Sequence, residues 1–143
     1  MPGTLVADVA AAKVTDDRGS PVLDQLTFAD FVAHGEFDRH LRRMRPRCRR
    51  LRDTLISTLA QRLPGLRPTG VSAGLHVLTW LPADLGETVV VEAAARRGLG
   101  VYGLAPYWVA DGAAGLVFGY GALTESTVVA GIDLLGQTTT ELR

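Results

Sequence analysis

The sequence contains very little lysine, which limits the chemistry that a lysine amine could perform. Of its 15 basic residues, 14 are arginine and one, Lys13, is lysine. A lysine amine is the side chain that forms imines with carbonyl compounds. Any chemistry of that kind within the chain therefore depends on Lys13.

Three histidines and one cysteine are the other candidates for catalysis. Histidine is the residue type most often used as a general acid or base, but no two of His34, His40 and His76 share a short motif. Cys48 is a candidate nucleophile among arginines, yet it also lies on an apolar helix face, which favours a buried role. No Cys/His pair has metal-ligand spacing. We therefore predict no catalytic residue and no metal ligand.

Arginines are concentrated between residues 39 and 52, where eight of fourteen positions are arginine. Such a run can follow a phosphate backbone. The net charge of the chain is zero, however, and apolar residues recur within the run. Both observations favour a solvated or interface-lining helix face over a nucleic-acid site.

Two glycine pairs, Gly98-Leu99-Gly100 and Gly119-Tyr120-Gly121, are candidates for ligand loops. Neither completes a phosphate-binding or dinucleotide-binding pattern. We interpret both as turns and tight packing.

Helix signals dominate the first half of the chain. Apolar residues near helical spacing predict a short helix from Leu5 to Val14. Ser20 as N-cap, with proline at the first helical position, predicts a second helix from Pro21 to His34 that ends at Gly35.

The strongest periodic pattern is an apolar stripe with spacings of three and four residues. It predicts one long helix, bent near Arg42 to Pro46, because proline removes a backbone hydrogen bond. The stripe consists of Phe37, Leu41, Met44, Cys48, Leu51, Leu55, Leu59 and Leu63.

Short apolar runs separated by glycines follow the long helix. They predict strands at Gly74 to Leu81, Gly100 to Leu104 and Gly115 to Tyr120. Further helices are predicted from about Glu87 to Arg97 and after Thr124, a candidate N-cap. This order predicts an α+β fold in which helices cover a small sheet.

Composition narrows the setting of the protein. A chain of 143 residues with 47% hydrophobic residues is typical of one globular domain. A single cysteine permits no internal disulfide, and neither a secretion signal nor an apolar run of membrane-spanning length is evident. We therefore expect a cytoplasmic protein.

Four stretches, in matching order and spacing, carry a resemblance to a known family. Together they resemble the C-terminal part of MocR-type regulators, a branch of the GntR-like transcriptional regulators, over about Pro2 to Leu142. The stretches are residues 25–37, Arg39-His40-Leu41-Arg42-Arg43-Met44-Arg45 with Arg52-Asp53-Thr54-Leu55, Ala73-Gly74-Leu75-His76, and Gly115-Leu116-Val117-Phe118-Gly119-Tyr120.

The resemblance implies a fold of the pyridoxal-phosphate (PLP) aminotransferase kind, fold type I. Residues 36–143 would form the C-terminal small domain, and residues 1–35 the tail end of the large domain with a connecting helix. The lysine and the arginine that hold PLP in the family would lie upstream of Met1, and Lys13 matches the helix after that motif. We therefore expect PLP in the complete family protein and none bound by this chain alone.

The resemblance also implies partners. These are the missing large domain, a homodimer partner, and a small amino-acid or vitamer effector. DNA would be contacted only through an absent N-terminal winged-helix domain, and no membrane is involved.

One loop is a candidate for contact with the effector. Some relatives grip a substrate carboxylate with an arginine in the small domain, and in the corresponding stretch of this chain the position falls on Pro106. Two interpretations of Ala105, Pro106 and Tyr107 are therefore open: structural packing of the loop, or the edge of an effector pocket that has no carboxylate clamp.

Two other interpretations remain open. The chain is a fragment of a PLP-dependent aminotransferase enzyme, or it is a free-standing binding module that uses the arginine-rich helix. The first predicts a PLP–lysine absorbance band, and the second predicts DNA binding that weakens steeply with salt.

Overall fold

The computed structural model describes residues 2–17, 21–70, 74–110 and 112–143. The chain divides into two compact units, Met1–Arg43 and Met44–Arg143, which are described here one at a time. The predicted domain boundary at residue 35 stays a prediction.

The first unit consists of helices. A 3₁₀ turn at Gly3–Leu5 leads into α1 (Val6–Asp17), which runs three residues past the predicted end. Helix α2 spans Val22–Ala33, and Gly35 ends it with a positive φ of 71°, as predicted. Pro21 is the N-cap of α2, so its predicted place at the first helical position was wrong. Ser20, the predicted cap, lies outside the described residues.

The helices of the first unit present apolar side chains to solvent. Leu23 is 79% exposed and Leu26 62%, and no residue of α2 is buried. The contacts that α2 does make are aromatic, because the rings of Phe28 and Phe31 lie 5.5 and 6.4 Å from that of Phe37. Single exposed apolar residues are usual at a protein surface, whereas here several lie together on the same helices.

Helix α3 (Glu36–Arg62) is the long helix that the apolar stripe predicts. It continues through Pro46 without interruption, and the bend expected there stays a prediction. In the second unit the stripe enters the core, where Leu51, Leu55 and Leu59 are each at most 3% exposed. Cys48 packs against the same core, as predicted, but it is only partly buried.

The second unit contains a four-stranded antiparallel sheet of order β1-β2-β4-β3. Its predicted strands are present but shorter, and a polar edge strand, β1, was not predicted. The strands are β1 (Arg67–Thr69), β2 (His76–Trp80), β3 (Tyr102–Gly103) and β4 (Gly115–Gly119).

Two further helices complete the second unit. They are α4 (Glu87–Arg96) and α5 (Glu125–Glu141). The hydroxyl of Thr124 accepts a hydrogen bond from the Thr127 N–H at 3.2 Å, which confirms the predicted N-cap of α5. The α+β fold class is therefore confirmed. None of the described helices combines the length and apolar character needed to cross a membrane.

Arginines of α3 hold that helix to the start of α5. Arg47 donates to the Leu123 carbonyl oxygen at 3.3 Å, and Arg50 lies 3.8 Å from the Glu125 carboxylate. At the end of α3, Arg62 pairs with Asp133 at 3.0 Å. Part of the arginine run therefore lines a helix–helix contact, as its sequence pattern favoured.

Tyr120 fastens the loop that precedes β2. Its side chain is 2% exposed, and its hydroxyl donates to the Gly74 carbonyl oxygen at 2.6 Å. Burial raises the pKa of Tyr120, so the phenol keeps the proton that it donates.

Tyr120→Phe is expected to lower the free energy of unfolding by about 1 kcal/mol, because the Gly74 carbonyl loses its donor. Urea unfolding of both proteins measures the difference. Tyr102→Phe is the control, because Tyr102 is 67% exposed and should change little. Equal losses in the two variants would contradict this role of the Tyr120 hydroxyl.

Candidate functional site

The sheet has one face in the core and one face open. Val77, Thr79, Leu116 and Phe118 are all buried. Because side chains alternate along a strand and direct cross-strand partners share a face, their neighbours point the opposite way. One row of partners on that opposite side is exposed or half-buried, and we call it the open face: Thr69, Leu78, Val117 and Tyr102.

An aromatic pair lies at one end of the open face. Trp80 belongs to the next row of the sheet, opposite Arg67 and Gly115. Its ring stacks on that of Trp108, with 6.2 Å between centroids and 20° between planes. A Cβ on Gly112 would lie 2.2 Å from the Trp108 ring, so glycine is the residue that admits this indole. The stack connects the loop between β3 and β4 to the sheet.

Glu87, the first residue of α4, holds the same loop from the other side. Its two carboxylate oxygens accept hydrogen bonds from the Ala105 N–H at 2.8 Å and the Gly115 N–H at 2.9 Å. These residues stand at the two ends of the β3–β4 loop. The Glu87 side chain therefore holds both ends of the β3–β4 loop.

Two opposing effects set the ionisation of Glu87. Burial raises its pKa, but hydrogen bonds from the backbone N–H groups of Gly115, Ala105 and Leu104 outweigh burial, so the pKa falls below its usual 4.5. Gly103 makes room for the carboxylate, since a Cβ there would lie 2.3 Å from its Oε1. The carboxylate is therefore charged at neutral pH, and it is partly buried against the backbone of the loop.

The residues predicted to edge an effector pocket lie on this loop. Ala105, Pro106 and Tyr107 form a short 3₁₀ helix, and all three are exposed, Tyr107 by 68%. Their assignment to a pocket stays a prediction. The structure shows that they lie on the same loop as Trp108 and that the Ala105 N–H donates to Glu87.

The other chemical candidates are distributed over separate elements. Lys13 is exposed on α1, and His34 caps α2 with Nδ1 2.9 Å from the Asp30 carbonyl oxygen. His76 begins β2, whereas Cys48 packs against the core from α3. Among the described residues, no three His, Cys, Asp or Glu side chains are grouped so that they could hold a metal ion.

The residues of the open face were not predicted from the sequence. Leu78 and Val117 lie within consecutive apolar residues in β2 and β4, without an apolar–polar alternation. Such runs do not say which of the two faces the helices will cover. Glu87 was predicted only as the approximate start of a helix, and its hydrogen bonds from residues 18 and 28 positions later carry no local signal.

Sequence comparison relates the chain to transcriptional regulators. It is 31% identical over 113 residues to the uncharacterized HTH-type transcriptional regulator YhdI of Bacillus subtilis (strain 168) and 28% identical over 113 residues to YdeL of the same strain. Each match covers 78% of this chain and 24% of the regulator. The chain thus spans about a quarter of the length of these relatives. No protein-family model matches it.

Structure comparison relates the chain to aminotransferases. The TM-score is 0.84 against kynurenine aminotransferase from Pyrococcus horikoshii, at 20% identity, over 97% of this chain and 35% of that enzyme. It is 0.81 against LysN, the α-aminoadipate aminotransferase of Thermus thermophilus, at 20% identity, over 99% and 36% of the two chains. The second enzyme was solved with N-(5'-phosphopyridoxyl)-L-leucine, and the first with PMP.

The two comparisons agree with the resemblance seen in the sequence. The fold is that of PLP-dependent aminotransferases, fold type I. Over most of its length, the sequence is similar to HTH-type transcriptional regulators. The predicted likeness to MocR-type regulators, which join these two properties, is confirmed.

Proposed function

We propose that this chain is the C-terminal segment of the PLP-dependent, aminotransferase-like effector-binding domain of a MocR/GntR-type transcriptional regulator. The observation that carries the proposal is the combination of regulator-like sequence with an aminotransferase fold. A cytoplasmic location follows from the proposed role in transcription. DNA contact would belong to another part of the regulator.

The open face is the part of this chain that we assign to the effector. Leu78, Val117 and Tyr102 offer an apolar surface, and Trp80 with Trp108 closes one end of it. When bound, PLP supplies an electrophilic carbonyl group that captures amines. This chain would pack against the effector, exclude water from it and keep the β3–β4 loop in position through Glu87.

No residue of the chain is assigned to holding PLP. Lys13, the one lysine, is exposed on α1 and matches the helix after the lysine motif of the family, not the motif itself. The large domain would provide the lysine. Its surface and a second copy of the regulator would also cover the apolar side chains that α1 and α2 expose, such as Leu23 and Leu26.

A chimera tests this proposal. The part of YhdI that matches this chain is replaced by the matching residues of the chain, and retention of PLP after desalting is measured by its visible absorbance. We expect PLP to be retained and its spectrum to respond to a subset of amino acids or vitamers. The chain alone, with PLP, an amino donor and a keto acid, is expected to show no transamination.

Tyr107→Ala in the chimera examines the loop itself. We expect the effector concentration for a half-maximal spectral response to rise about tenfold, equivalent to the loss of about 1.4 kcal/mol of contact, while PLP retention is unchanged. Val89→Ala, an exposed apolar change on α4, is the control. A folded chimera that loses PLP, or that keeps it with no response to any amino acid or vitamer, would contradict the proposed function.

A further inference from the structure

A cavity of about 400 Å³ opens beside α5 in the second unit. Its inner wall is made by core residues, among them Leu55, Phe118 and Ile132, each at most 7% exposed. Residues 98–100 and Thr127 lie at its more exposed side. Because Phe118 points to the core side of the sheet, this cavity is on the side opposite to the open face.

Three of the four glycines in the two glycine pairs line this cavity, namely Gly98, Gly100 and Gly119. Gly98 has a positive φ of 76° and so serves a turn, as predicted. Gly100 has neither a positive φ nor any atom within 4 Å of the position of a Cβ, so the interpretation of tight packing was wrong for Gly100. Gly119 contributes only backbone to the lining, because alternation along β4 places its Cβ position beside His76, on the face of Val117.

A fourth glycine lines the cavity from within a helix. Gly131 lies in the middle of α5, where glycine costs about 1 kcal/mol relative to alanine. A Cβ at this position would lie 3.4 Å from Leu99 Cδ1, which is an ordinary contact. Crowding therefore does not account for the glycine, and its effect is to leave the cavity wider.

The lining defines the chemistry of a ligand. None of the lining side chains is charged, and the two hydroxyls are already hydrogen-bonded, that of Thr127 to Thr124 and that of Tyr120 to Gly74. A charged group placed here without a partner would pay a large desolvation penalty. The volume lies within the range of small-molecule sites, roughly 300–1,000 Å³.

We propose that this cavity binds an uncharged, mainly apolar small molecule of roughly ten non-hydrogen atoms, since an apolar cavity of about 150 Å³ already accepts benzene. The site is independent of the effector surface proposed above. It uses the core side of the sheet and α5, and it contains no residue of the open face.

Titration of the full chain with benzyl alcohol and with benzoate tests the site. The two probes share a ring and differ in charge, and ¹H–¹⁵N NMR locates each. We expect benzyl alcohol to shift the amides of residues 98–101 and 127–132 saturably, with a Kd that is roughly millimolar or tighter. Benzoate should bind at least about tenfold more weakly, because its charge would be desolvated.

A filled cavity should lose the ligand. Gly100→Val places a side chain in the open space and is expected to weaken benzyl alcohol binding at least about tenfold. Gly131→Ala is the second filling variant, for use if the first does not fold, with an expected loss of several-fold. Gly136→Ala is the matched control on α5, because its Cβ would approach Leu63 and lies outside the cavity lining. Its affinity should equal that of the original chain.

Three results would overturn the proposal. They are the absence of saturable shifts in residues 98–101 and 127–132, equal affinity for benzoate and benzyl alcohol, and undiminished binding by a folded filling variant. None of these results depends on PLP retention by the chimera. The cavity site and the proposed function are therefore tested independently.

Discussion

Glu87→Ala is expected to lower the free energy of unfolding by about 2 to 3 kcal/mol and to release the β3–β4 loop. The carboxylate accepts from both ends of the loop, and the buried Gly115 would keep an N–H group without an acceptor. Its negative charge at the start of α4 also stabilises the helix dipole. Urea unfolding followed by far-ultraviolet circular dichroism measures the energy, and amide hydrogen exchange at residues 104–108 measures the release of the loop.

Glu92→Ala is the matched control for this change. Glu92 lies on the same helix and is exposed, and its removal should alter the free energy of unfolding by less than about 0.5 kcal/mol. Similar effects of the two variants would show that charge on α4, rather than the attachment of the loop, is what matters.

The same contact predicts how stability depends on pH. Because the pKa of Glu87 is lower in the folded protein than its usual 4.5, its contribution is complete above about pH 4.5 and is lost as the pH falls through the folded value. Glu87→Gln cannot titrate, so its stability should vary less over this acidic range than that of the original chain. Parallel stability curves for the two proteins would exclude Glu87 as the titrating group.

Leu59→Ala is the second change with a large expected effect. Leu59 is fully buried where α3 enters the core of the second unit, and a cavity in that position should cost about 3 kcal/mol. Leu75→Ala is the comparison, since Leu75 is 49% exposed and should cost less than half as much. Unfolding of both variants in urea, at equal protein concentration, tests whether the apolar stripe of α3 supports this unit.

Much of the fold could be predicted because strong patterns are local. The apolar stripe predicted α3, glycine and Thr124 marked helix ends, and short apolar runs between glycines predicted three strands. Strand β1 was not predicted because its three exposed residues, Arg67–Thr69, include a proline and no apolar alternation. The sheet edge accepts such a strand, because an edge position needs fewer backbone donors.

The candidate site was less predictable for a physical reason. Tyr107 and its neighbours could be found from a family motif, but the partners that hold their loop come from distant positions. Glu87 and Trp80 precede the loop by many residues, and only the folded sheet brings them to it. The open face was likewise hidden, because burial of the alternate face depends on where the helices pack.

The stacked indoles have an optical consequence. Trp80 and Trp108 are the two tryptophans of the sequence, and both rings lie at the junction of the loop and the sheet. Two chromophores at this distance couple to each other, so the aromatic circular dichroism and the emission of the chain are both dominated by one junction. Any movement of the β3–β4 loop will change these signals, and the chain therefore reports the state of its candidate site without an added label.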